Sequence, residues 1–205
     1  MSKVMTSDDI IIQVGDFGIY KSCLSVLKEL FPNGYPCKVL VIDGNHEDFK
    51  IINEWSKDEP TEFHKNFFFV PRGYVTEING KVFAFLGGAE SVDRKFRTPG
   101  YDWFAEERIQ PEDVDKLVKN VGGRDVDYLI THTPPEFINR VYFPISRIQE
   151  AYQLPLGWID ESAVQMNKVH WALRPKKNFC GHMHGTILHD VVRILNIDEV
   201  YTLQD

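Results

Sequence analysis

The chain has 205 residues, 43% hydrophobic and 26% charged, which is enough for a folded domain with a buried core and excludes a disordered or fibrous chain. Lys and Arg total 23 against 30 Asp and Glu, and the resulting net charge of −7 argues against a non-specific nucleic-acid binder without excluding a local basic patch. No apolar run approaches the roughly 20 residues of a membrane span, and Met1 to Asp9 lacks the charged-then-apolar pattern of a signal peptide.

Ile10 to Val14 and Val39 to Ile42 are short, nearly continuous apolar runs, as expected of strands buried on both faces. Between them, Tyr20 to Phe31 carries Leu24, Leu27, Leu30 and Phe31 at helical spacing and is stopped by Pro32-Asn33-Gly34. This predicts a βαβ unit with parallel strands. Tyr74 to Ile78 and Lys81 to Leu86 flank Asn79-Gly80, a strong hairpin signal. Pro111 opens a helix with Val114, Leu117, Val118 and Val121 on one face, closed by Gly122-Gly123. Tyr128 to Thr131 reads as a buried strand, an Asp160-capped helix runs to about Leu173, and Asn178 to Leu203 reads as several short strands. Parallel units mixed with hairpins predict an α/β sandwich of two packed mixed sheets flanked by helices. No repeat, low-complexity tract or linker divides residues 1–205, so they read as a single domain. Cys23, Cys37 and Cys180 are odd in number and widely spaced, which fits free thiols in a reducing, cytoplasmic setting.

Four short blocks follow the ends of predicted strands: Gly15-Asp16, Gly44-Asn45-His46-Glu47, Thr131-His132 and Gly181-His182-Met183-His184. In parallel α/β sheets, ligands gather at the carboxyl ends of strands, so these distant blocks are expected to converge. Imidazoles, a carboxylate and an amide oxygen form a nitrogen/oxygen donor set suited to Mn, Fe, Co or Zn. Each block alone has an ordinary explanation as a turn, strand-end histidine or surface pair; the four in this order carry the inference.

With these blocks the sequence resembles the calcineurin-like metallophosphoesterases, from about Asp9 to about Asp190, and Gly87 to Arg94 with Trp103 is similar to bacterial and phage members. The Gly-Asp block continues as Phe17-Gly18, unlike the Ser/Thr protein phosphatases. The resemblance implies a sandwich fold and a metal-dependent phosphoesterase acting on a phosphomonoester or phosphodiester through attack of a metal-bound hydroxide. It implies that Asp16 bridges two metals, that Asn45, His132 and His182 complete one site, and that His184 contributes to the other. His46 would face the substrate, stabilising the phosphate or protonating the leaving group, a role suited to a side chain whose ordinary pKa is near 6.5. A nucleotide or other small phosphate ester is the implied substrate; the net charge disfavours a nuclease.

The family pattern begins with an Asp-x-His block, and none precedes Gly15-Asp16. The expectations are a fold lacking its first strand and helix, an exposed edge at Ile10 to Val14, a chain that begins late, and one metal held firmly with a second held weakly or not at all. A catalytically weak or silent binding module is the alternative reading. Among residues that select substrate, Arg94, in a stretch with Lys95, Arg97, Tyr101, Trp103 and Phe104, is the best phosphate candidate. Glu47 is expected to support the site or cap a helix, Arg72 to be a turn residue, and Tyr142 and Phe143 to pack in the core.

Overall fold

The computed structural model describes residues 5–203, and its first elements form the predicted βαβ unit: β1 (Ile10–Gln13), α1 (Lys21–Leu30) and β2 (Lys38–Val41). β1 and β2 are parallel, with Ile11 opposite Val39. The short helix α2 (Phe49–Ile52) is capped by the Asp48 carboxylate, which accepts the Lys50 N–H at 3.0 Å. β3 (Thr61–His64) and β4 (Phe67–Phe69) then complete a four-stranded sheet in the order β1-β2-β4-β3. These two strands have no counterpart in the sequence reading.

The second sheet begins with the predicted hairpin, β5 (Val75–Ile78) and β6 (Lys81–Leu86). Asn79 and Gly80 turn it with φ of 49° and 72°, the left-handed pair that a two-residue hairpin of this hand demands. α3 (Pro111–Val121) follows and ends on Gly122 at φ 61°. β7 (Tyr128–Thr131), α4 (Glu136–Tyr142), α5 (Ile145–Tyr152), α6 (Glu161–Leu173), β8 (Lys177–Cys180), β9 (Ile187–His189) and β10 (Val192–Ile194) complete the described chain. The sheet order is β5-β6-β7-β8-β10-β9, with a parallel centre from β6 to β10 and antiparallel strands at both edges.

The alternation of side chains along each strand builds the layers. Phe83 and Phe85 of β6 point into the seam between the sheets, where they meet Leu40, Ile42 and Val70. Ala84 and Leu86 point the other way, onto Leu117 and Val121 of α3 and Met166 of α6. On the first sheet, Val39 and Val41 face outward toward Leu27 of α1. Both faces of the central strands are therefore covered, which is why their sequences read as continuous apolar runs. Each fully buried side chain of this size contributes roughly 1.5–3 kcal/mol. The result is the expected α/β fold, two mixed sheets flanked by helices.

β1 is an edge of the first sheet among the described residues, and Ile10 at its start is 40% exposed, as the sequence predicts for this strand. The α1 stripe is only partly used: Leu27 is buried, whereas Leu30 is 66% exposed. Arg72 sits in a turn, as expected, and its guanidinium also donates to Asp43 at 2.6 Å, to Asp113 at 3.0 Å and to the carbonyls of Glu106, Glu107 and Arg108. One minor expectation is corrected. Tyr142 is 40% exposed and bonds His189 at 3.1 Å instead of packing in the core. The three cysteines are free, and no described helix is long and apolar enough to cross a membrane.

Candidate metal centre

The segments following β1, β2, β6, β7 and β8 meet at one end of the seam between the sheets. Main-chain bonds stitch them together: the Gly88 N–H donates to Asp43 O at 2.9 Å, and the Gly181 N–H to His132 O at 2.9 Å. The approach is close enough to require glycine. A Cβ on Gly15 would lie 2.3 Å from His132 Nδ1, and Gly15 has φ +92°.

This packing brings Asp16, His132 and His182 together, each offering one ligand atom within 4.8 Å of the others. Asp16 Oδ2 lies 3.3 Å from His132 Nε2, and Asn45 Oδ1 lies 3.3 Å from the same nitrogen. The His132 and His182 rings are 5.0 Å apart between centroids. Neighbours set the orientation of each donor. His132 Nδ1 donates to the Val14 carbonyl at 2.7 Å, which leaves Nε2 as the ring atom turned toward Asp16 and Asn45. Asn45 Nδ2 donates to Ser91 Oγ at 3.1 Å, which turns Oδ1 inward.

The electrostatics match a cation site. Burial alone would raise the Asp16 carboxyl, but the imidazoles of His132, His46 and His182 hold it well below the ordinary carboxylate range. Burial, with His132 beside it, drives His182 down to about 3, so its ring is neutral and has a free lone pair at neutral pH. For His132, burial opposes the charged form, yet the Asp16 carboxylate and the Val14 carbonyl outweigh it and the pKa rises. A proton on Nε2 then lies between Asp16 Oδ2 and Asn45 Oδ1, where a cation would take its place. The donor set Asp16, Asn45, His132 and His182 therefore fits a divalent ion of the borderline class.

Three residues of these segments hold a strained backbone. Asp16, His182 and His184 have φ of 58°, 63° and 49°, in the left-handed region that non-glycine residues enter at a cost of about 1 kcal/mol or more. His184 is exposed and stands outside the converging group of Asp16, His132 and His182.

His46 is exposed at the rim, and its main-chain N–H donates to Asp16 Oδ1 at 3.0 Å. Desolvation lowers its pKa and the Arg97 guanidinium acts in the same direction, against Asp16 and Asp93. Arg97 Nη2 lies 2.7 Å from His46 Nε2 and 3.0 Å from Nδ1. Arg94, the sequence candidate for phosphate, has its guanidinium carbon 4.1 Å from the centroid of the Trp103 ring. Beside this rim, Tyr20, Lys50, Tyr101 and Asp102 help line a groove of about 690 Å³.

The sequence reading gave Ser91 and Glu107 no role and named Arg97 only as a member of the stretch around Arg94. Ser91 orients Asn45, Arg97 contacts His46, and the buried Glu107 accepts from the Ser91 N–H at 2.9 Å and Trp103 Nε1 at 3.0 Å. Ser91 and Arg97 lie in or beside the stretch from Gly87 to Arg94, but residue type alone does not show which members face the centre. Glu47 is a support, as expected, though not a helix cap: its buried carboxylate accepts the N–H groups of Phe17 and Ile19 in the loop that carries Asp16.

The calcineurin-like phosphoesterase family model matches residues 3–185 of the chain. No curated protein matches it.

Proposed function

Because the chain belongs to the calcineurin-like phosphoesterase family, we propose that it hydrolyses a phosphomonoester or phosphodiester in a reaction that needs a divalent metal. The observation that carries this reading is the convergence of Asp16, His132 and His182 within 4.8 Å, with Asn45 turned toward the same point. In this reading Asp16, Asn45, His132 and His182 hold one ion, and Asp16 with His184 supplies a second, weaker site. When bound, such an ion supplies Lewis acidity toward a phosphoryl oxygen and makes water more acidic.

The chain's own residues account for the remainder. Ser91 and the Val14 carbonyl fix the donor atoms before any ligand arrives, so no reorientation is needed at the moment of reaction. His46 stands at the rim, where it can donate a proton to the leaving-group oxygen as the P–O bond breaks and water adds to phosphorus. The groove lined by Tyr20, Lys50 and Tyr101 has room for the organic part of a small ester such as a nucleotide. Free cysteines accord with a reducing, cytoplasmic setting.

A second reading, a weak or silent binding module, is favoured by the exposed position of His184 outside the converging group. Both readings are tested by adding Mn²⁺, Zn²⁺, Ni²⁺ or Co²⁺ and following hydrolysis of p-nitrophenyl phosphate and bis-p-nitrophenyl phosphate. Metal-dependent turnover supports the enzyme; metal binding without turnover of any ester supports the binding module.

A further inference from the structure

Two largely covered arginines in this protein are built differently. Arg72 is satisfied entirely by oxygen: its Nε and Nη2 reach Asp43, Nη1 reaches Asp113, and three main-chain carbonyls take the remaining donors. That is the pattern of a structural ion pair. Arg97 is anchored with similar care at one end only. Its Nε donates to Asp93 at 2.8 Å, and Nη1 donates to the carbonyls of Asn45 at 3.1 Å and Asp102 at 3.3 Å. Its side chain is 7% exposed.

Nη2 is the exception. Among the described residues its partners are the two ring nitrogens of His46. Nη2 carries two hydrogens, whereas a neutral imidazole offers one lone pair and a protonated one offers none. At least one N–H of the guanidinium is thus left at the exposed rim beside His46 without an acceptor among the described residues, open to an incoming ligand. The acceptor that best fits a planar cationic donor at this position is an anionic oxygen, above all one of a phosphate group.

We propose that Arg97, and not Arg94, is the guanidinium that binds the phosphate of the substrate, through Nη2 and next to His46. The assignment rests on the phosphoesterase reading and adds to it the residue that grips the ester. Asp93 and the Asn45 carbonyl pre-position the group, so its binding costs little side-chain ordering. Arg94, three residues earlier, lies over the Trp103 ring, where it braces the segment.

The test is calorimetric titration of inorganic phosphate into Mn²⁺-loaded wild type, Arg97→Lys, Arg97→Ala and Arg94→Ala, with steady-state hydrolysis of p-nitrophenyl phosphate alongside. Removing a charge-assisted bond to the anion should weaken phosphate binding about 10- to 100-fold in Arg97→Ala and raise KM in parallel, with a smaller loss in Arg97→Lys. Mn²⁺ affinity measured without phosphate should fall less than about threefold. Phosphate affinity and KM unchanged in both Arg97 variants, or lost in Arg94→Ala alone, would overturn the assignment while leaving the phosphoesterase reading intact. Wild type that neither binds phosphate nor hydrolyses the ester would overturn both. If the Arg97 variants fail to fold, a crystal structure of wild type with Mn²⁺ and phosphate decides: a phosphate oxygen within about 3.2 Å of Nη2 upholds the assignment, and a bound phosphate away from it overturns it.

Discussion

Gly44 and Asp16 are in such close contact that a single methyl group does not fit between them. A Cβ on Gly44 would lie 2.0 Å from Asp16 Oδ1 and 2.4 Å from the Asp16 main-chain nitrogen. The requirement for glycine is therefore steric, and it falls on the neighbour of the residue proposed above as the central metal ligand. Gly44→Ala should push the Asp16 loop away from His132, costing about 1–3 kcal/mol of stability and reducing Mn²⁺ affinity about 10- to 100-fold. Calorimetric titration of Mn²⁺ checks this; wild-type affinity in Gly44→Ala would contradict the packing.

Removing a donor acts directly. Asp16→Ala and His182→Ala should each lose bound metal, measured by elemental analysis after dialysis against a limiting concentration of Mn²⁺. Far-UV circular dichroism, recorded alongside, checks that both variants are folded. A variant with full metal content would exclude that residue as a ligand.

Glu47 ties the second strand's loop to the first. Its carboxylate accepts the N–H groups of Phe17 and Ile19, 30 and 28 residues away in sequence, and its side chain is 1% exposed. Burial raises its pKa to about 8, against the pull of the two main-chain bonds. Glu47→Ala leaves two N–H groups without their acceptor and should cost about 2–4 kcal/mol in urea unfolding. A loss under 0.5 kcal/mol would show that water replaces the carboxylate without penalty.

Glu107 gives a pH signature of stability. Burial raises its carboxyl to about 7 against 4.5 for the ordinary group, although the bonds from Ser91 and Trp103 and the charge of Arg97 work the other way. A folded-state pKa above the unfolded one means that the neutral form stabilises the fold. That contribution is fully present below about pH 4.5 and is lost as pH rises through 7. Glu107→Gln keeps a carbonyl oxygen to accept from Ser91 and Trp103 and cannot ionise. It should therefore be more stable than wild type at pH 8 by roughly 1–3 kcal/mol, with the gap closing toward pH 4.5. Equal stabilities at pH 8 would contradict the raised pKa.

Legibility in the sequence followed local physics. The Asn79-Gly80 turn, the Gly122 helix end and the Asp160 cap were readable because each residue satisfies a backbone demand that few others can meet. β6 and β7 were readable because both faces are buried. β3 and β4 were not, since each has only three or four residues and the sheet, not the segment, stabilises them. α4 and α5 are short, open after prolines and lie mostly at the surface; α4 buries only Ile138 and α5 buries no residue. In the site, the order of blocks pointed to Asp16, Asn45, His132 and His182, and the fold brings them together. The choice between Arg94 and Arg97 was not legible, because the short 3-10 turn at Arg94–Phe96 turns one guanidinium onto Trp103 and the other onto His46.

The most direct test of the central claim is the Mn²⁺-dependent hydrolysis of p-nitrophenyl phosphate and its bis-ester by wild type and His46→Ala. The account predicts turnover that disappears when the metal is chelated and falls by roughly 10²–10⁴ in His46→Ala, while that variant still binds Mn²⁺. Turnover that survives chelation, or that is the same with and without the His46 imidazole, would contradict it.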